Sequence, residues 1–104
     1  MNIKEAQELS AKMLEGVNNK VNIKHDPDGM FLSLTEEVGE VARELSKKQK
    51  NYRGEFSKEK LGEELADIIS RTLIIASDNE IDMEDAFIDK LEKIRKRFEI
   101  KWQQ

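Results

Sequence analysis

Four stretches of this chain place apolar residues three and four positions apart, and no stretch alternates apolar with polar side chains as a half-buried strand would. That spacing commits the chain to helices that each hide one face. Ile3, Ala6, Leu9, Met13 and Val17 mark the first, from about Lys4 to Asn19. A loop belongs at His25-Asp26-Pro27-Asp28-Gly29, which holds the only proline. Phe31, Leu34, Val38, Val41 and Leu45 mark a second helix, with Asp28 as its expected N-cap and a fade near Gln49. Asn51 to Ser57 reads as a connection. Ser57 can cap a third helix carrying Leu61, Leu65, Ile68, Thr72 and Ile75. Asp78-Asn79 and Asp82 punctuate again, and a fourth helix with Phe87, Leu91, Ile94 and Phe98 is expected to end in Trp102. The expected fold is all-α, a bundle of about four helices.

A bundle of 104 residues has room for one domain, expected to span 1–104. Its core must be thin, so contact between subunits is the expected way to cover leftover apolar faces, in a homodimer or homotetramer. Lys and Arg number 18 against 22 Asp and Glu, a net charge of −4, which speaks against bulk nucleic acid as a partner because such binders carry a basic excess. The absence of cysteine excludes disulfide scaffolds, thiolate zinc sites and thiol nucleophiles together. The first residues are charged without an apolar leader, and no run approaches the roughly 18 apolar residues of a membrane span. No membrane partner is expected, and the expected location is cytoplasmic.

An internal repeat narrows the chemistry. At an offset of 27, Leu34-Thr35-Glu36-Glu37-Val38-Gly39-Glu40-Val41-Ala42 falls on Leu61-Gly62-Glu63-Glu64-Leu65-Ala66-Asp67-Ile68-Ile69, and seven of the nine positions agree in type. Glu37 and Glu40 are i,i+3 neighbours on one helix, as are Glu64 and Asp67 on the next, so each pair can present two carboxylates to one point. Both pairs lie at the edge of an apolar stripe, and antiparallel packing would bring four acids together. Two like charges about 4 Å apart cost roughly 4 kcal/mol at an effective dielectric near 20. A cation must therefore occupy the gap, or the acids must stay apart. The donors are all hard oxygens, which suit Mg²⁺ or Mn²⁺ rather than Zn²⁺. A di-iron bundle would want Glu-x-x-His on two helices, and neither copy has it. The single histidine, His25, reads as a surface loop residue, and an EF-hand register around Asp26 would put its first ligand on Lys24.

Glu36-Glu37-Val38-Gly39-Glu40, followed on the next helix by Glu64-Leu65-Ala66-Asp67, resembles the E-E-x-x-E and E-x-x-D pair of the MazG-like nucleoside triphosphate pyrophosphohydrolases, over about residues 30 to 98. The resemblance implies an all-α fold and a Mg²⁺-dependent enzyme, with Mn²⁺ as a substitute. It implies cleavage of a nucleoside or deoxynucleoside triphosphate between its α- and β-phosphates, giving a monophosphate and pyrophosphate, in a house-cleaning role. Glu37, Glu40, Glu64 and Asp67 match the family's metal ligands. Glu36, beside them, is a candidate for supporting a ligand or orienting water, so that Glu36 and Glu37 are the candidate catalytic acids.

Phosphates call for cations as well as metal. Between Lys90 and Lys101 there are 6 basic residues against 2 acidic ones. By the resemblance, Lys90 and Arg97 match the Lys and Arg of a K-x-x-x-N-x-x-R pattern on the last helix, where they would meet phosphate oxygens. Ile94 stands where that pattern has Asn. A basic loop with Lys47, Lys48, Lys50 and Arg53 is a second source of phosphate contacts, and Tyr52, Phe56 and Trp102 are candidates to stack on a base. The competing expectation is a helical interaction module that keeps the fold without turnover, as Ile94 would permit.

Overall fold

In a computed structural model, residues 1–50 and 52–101 are described, and they form four helices with no strand. Helix α1 spans Ile3–Val21, α2 Pro27–Ser46, α3 Lys58–Asp78 and α4 Met83–Arg97. Each begins where a short polar side chain can accept from an otherwise unpaired backbone N–H. Asn2 Oδ1 accepts from Glu5 N at 2.8 Å while Glu5 Oε1 accepts from Asn2 N at 3.3 Å, a reciprocal capping box. Ser57 and Asp82 cap α3 and α4 through Lys60 N and Asp85 N.

Three helix ends differ from the sequence expectation. The N-cap of α2 is Asp26 rather than Asp28, because Pro27, with no N–H to lose, takes the first helical position and lets Asp26 accept from Asp28 N at 3.2 Å. At Gly29 a Cβ would stand 2.8 Å from Asp26 Oδ2, so a larger residue would push on the capping side chain. Helix α4 stops at Arg97, short of the expected Trp102. Phe98 is its C-cap, and Glu99, at φ 54°, turns the chain away through the left-handed region. Trp102 lies outside the described residues. Helix α2 likewise ends at Ser46, before Gln49.

Helix α3 is central, packed against α2 on one side and α1 on the other, and the buried apolar side chains, Leu73, Ile74 and Ala76, all belong to it. Helix α4 packs chiefly on α1. Gln7 fastens this joint: its amide Nε2 donates to Ser77 Oγ (3.1 Å) and Ile81 O (2.8 Å), and its Oε1 accepts from Met83 N (3.1 Å). His25 Nε2 lies 2.9 Å from Asp78 and ties the α1–α2 loop to the end of α3. The radius of gyration is 16.9 Å, against about 13 Å for a compact chain of this length. Accordingly Phe31, Leu32, Ile69, Phe87, Ile88 and Phe98 stand exposed. Gly39 and Ala66 are exposed too, and a Cβ at Gly39 would meet nothing within 4 Å, so these small residues serve no close helix approach inside the protomer.

Candidate active site

Helices α2 and α3 run antiparallel, as three contacts along them establish. Ser33 meets Arg71, Glu37 meets Arg71 a turn further on, and Glu44 meets Ser57 at the far end. This arrangement turns the edges of the two acidic motifs toward each other. Carboxylate oxygens of Glu37, Glu64 and Asp67 lie within 4.8 Å of one another. Glu40 stands outside that group and reaches Arg43 at 3.6 Å. Glu36 is exposed on the neighbouring face of α2.

The electrostatics follow from this crowding. The Glu64 carboxyl is pushed above the usual glutamate range, foremost by its hydrogen-bond contact with the Glu37 carboxyl, then by partial burial and the charges of Glu37, Glu40 and Asp67. Arg71, a cation that sequence reasoning did not single out, offsets part of this charge. Its guanidinium reaches Glu37 Oε1 and Asp67 Oδ1, each at 3.5 Å. Glu37 is left half-served: its side chain is 17% exposed, and Oε2 is buried without a hydrogen-bond donor. A carboxylate with a buried, unpaired oxygen, grouped with two further carboxylates, is a position for a cation. The donor set of three hard oxygens fits a divalent ion of the Mg²⁺ or Mn²⁺ kind.

The family model for the MazG nucleotide pyrophosphohydrolase domain matches residues 25–100, which takes in α2, α3 and α4 and both acidic motifs. The chain belongs to the MazG family. No curated protein matches it in sequence. MazG proteins generally depend on a divalent metal, and the carboxylate cluster lies inside the matched span. The all-α architecture agrees with a MazG domain.

The basic residues expected to meet phosphate stand exposed or make other contacts on the MazG scaffold. Lys90 and Arg97 are exposed on α4, whose main neighbour is α1 rather than the acid-bearing α2, and Arg97 lies over its neighbour Phe98, 5.4 Å from the ring centroid. Lys48 sits over the Phe56 ring at 4.6 Å, a cation–π contact that holds both side chains in the connection. Arg53 and Tyr52 are exposed. Lys47 is committed to Glu44, with Nζ 2.8 Å from Oε2.

Glu44 is the other residue that the sequence did not mark. It is 1% exposed, takes the Ser57 backbone N–H at 2.8 Å, and is held below the usual glutamate range first by the Lys47 hydrogen bond and then by that of Ser57. Its place one heptad after Glu37 was the available signal, since both then face α3.

Proposed function

We propose that this MazG protein is a Mg²⁺-dependent nucleotide pyrophosphohydrolase that cleaves a nucleoside or deoxynucleoside triphosphate to the monophosphate and pyrophosphate, as a house-cleaning enzyme. The observation that carries this is the cluster of Glu37, Glu64 and Asp67 with the unserved Glu37 Oε2, inside the span matched to the family. Those three carboxylates would hold the metal, with Glu40 joining by a rotation of its half-buried side chain. The ion would supply charge neutralisation at the phosphates and a more acidic bound water. Glu37 serves as ligand and sets the position of the reacting centre. Glu36, one residue before it, is the group proposed to orient or deprotonate the attacking water. Lys90, Arg97, Lys48 and Arg53 are proposed to contact the phosphates.

The functional unit is proposed to be a homodimer or homotetramer of one-domain chains of residues 1–104, working in the cytoplasm. An apolar groove of about 330 Å³ between α1, α3 and α4, walled by Ile3, Ile69, Leu73 and Phe87, supports association, as does the exposed apolar row of α4. No helix among the described residues is long and apolar enough to cross a membrane. Sedimentation is expected to give a mass above the 12.1 kDa of one chain at micromolar concentration, and a monomer there would refute the assembly.

The activity is tested by incubating the protein with a panel of triphosphates, with Mg²⁺ and with EDTA. Pyrophosphate release that needs Mg²⁺ is expected for at least one member. Release undiminished in EDTA would refute the metal's role, and no release from any member would favour the non-catalytic module that Ile94 permits.

A further inference from the structure

The hold on Arg71 is unusual for a side chain between two acids. Its shortest contact is not ionic: Nε donates to Ser33 Oγ at 2.6 Å, and one terminal nitrogen donates to the backbone carbonyl of Asp67 at 3.3 Å. The contacts to Glu37 and Asp67, both 3.5 Å, are well beyond the roughly 2.7–2.9 Å of a charge-assisted hydrogen bond. A neutral hydroxyl and a helix carbonyl therefore fix the guanidinium, and its charge is spent on the carboxylates at arm's length. Some of its five N–H donors face no close acceptor.

Two further features bear on what this arrangement is for. The Arg71 side chain is 26% exposed, and together with Ser33 it forms part of the wall of a cavity of about 300 Å³ that Met13, Met30 and Ile74 also line. The guanidinium thus stands between the acid cluster and open space. The internal repeat also breaks here. Position 71 corresponds, at the same offset of 27, to Glu44 on α2, so the two copies carry opposite charges one turn beyond their shared motif.

We propose that Arg71, held beside the carboxylate cluster by Ser33, is a substrate-phosphate ligand that exchanges Glu37 and Asp67 for a polyphosphate oxygen where a divalent ion takes those carboxylates. This rests on the pyrophosphohydrolase assignment above for its substrate class, a polyphosphate. Arginine suits the exchange because its planar fork serves carboxylate and phosphate with the same donors. A phosphate oxygen reaching the cavity would offer the short ionic contact that neither Glu37 nor Asp67 makes. The metal and the guanidinium then stop competing for one pair of carboxylates.

The test titrates Mn²⁺ alone into metal-free wild type, R71Q, R71K and S33A proteins by calorimetry, followed by inorganic tripolyphosphate at saturating Mn²⁺. Without nucleotide, R71Q is expected to bind Mn²⁺ about tenfold more tightly, because a like charge beside the ion is removed. S33A, which frees the guanidinium without changing charge, is expected to bind it severalfold more tightly, and R71K to stay near the wild type. Tripolyphosphate should bind R71Q at least tenfold more weakly, with partial recovery in R71K. A merely structural arginine would also give tighter Mn²⁺ binding on loss of its charge, but it would leave tripolyphosphate affinity unchanged, so the tripolyphosphate arm separates the two roles. Mn²⁺ affinity unchanged or weakened in both R71Q and S33A overturns the proposal, as does tripolyphosphate affinity unchanged in R71Q. S33A keeps the test decisive should R71Q fail to fold. Failure of the enzymatic assignment would show separately, as no Mg²⁺-dependent pyrophosphate release by the wild type from any nucleotide.

Discussion

Glu37 and Glu44 lie one heptad apart on the same face of α2, both against α3, and they have opposite fates. At Glu44 one carboxylate oxygen accepts the Ser57 N–H, and the other, though it has no aligned hydrogen bond, lies 2.8 Å from the Lys47 ammonium, so the charge closes the α2–α3 connection and helps set where α3 begins. At Glu37 one oxygen meets Arg71 loosely and the other meets no donor, with two more carboxylates close by. Burial alone does not separate a structural acid from a functional one. The distance to the nearest cation does, 2.8 Å at Glu44 against 3.5 Å at Glu37, because an uncompensated buried carboxylate is destabilising unless a cation joins it.

The sharpest way to break this contrast is to remove each acid in turn. E44A is expected to lower the melting temperature by roughly 10 °C or more, since it leaves Lys47 and the Ser57 N–H without their acceptor, while the protein that stays folded keeps its turnover. A melting temperature within about 2 °C of the wild type would place Glu44 among ordinary surface acids. E37A, E64A and D67A are expected to do the reverse. Pyrophosphate release should fall by about a hundredfold or more, and metal-free melting should hold or rise as self-repulsion is relieved. If these variants lose stability as E44A does, the contrast fails.

Acid sharpens the same contrast, because the two carboxyls are shifted in opposite directions. Glu44 is lowered in the folded state by Lys47 and Ser57, so its stabilisation is full above the ordinary glutamate range and is lost as pH falls through its depressed value. Glu64 is raised by the Glu37 carboxyl, so the metal-free fold favours its protonated form and loses that contribution as pH rises through the raised value. Metal-free E64Q is therefore expected to melt above the wild type at neutral pH and to converge with it on acidification. Divalent-ion affinity of the wild type should fall over the acid side, where Glu64 takes up its proton. Thermal melts and Mn²⁺ titrations across pH 4 to 8 check both signs.

The smallest effects belong to α4, which packs chiefly on α1 rather than on the acid-bearing α2. K90A and R97A are expected to lower kcat/KM by about tenfold to a hundredfold and to spare Mn²⁺ binding, as for the loss of one charge-assisted phosphate contact. K93A, K96A and K101A serve as controls, with changes limited to the salt dependence of encounter. Equal losses across all five would mean that α4 supplies only a diffuse positive field.

Local physics made much of this legible from the residues. Apolar spacing marks all four helices, Ser57 and Asp82 cap where short polar side chains precede an apolar run, and the paired Glu-x-x-Glu and Glu-x-x-Asp motifs point to a cation because four acids cannot share a groove without one. The Asp26 cap was a local matter as well, hidden because Pro27 shifts the helix start by two residues. Arg71 and Glu44 are different in kind. In the sequence each is one charged residue on a helix rich in charge, and such residues are usually solvated. Only the antiparallel seating of α2 on α3 puts Arg71 between Glu37 and Asp67, buries Glu44 at the Ser57 turn, and leaves Glu37 Oε2 without a donor, because hydrogen-bond satisfaction depends on which groups distant segments bring within about 3 Å. Residue type and spacing set what chemistry the chain could perform, and packing decided which of its acids were left free to perform it.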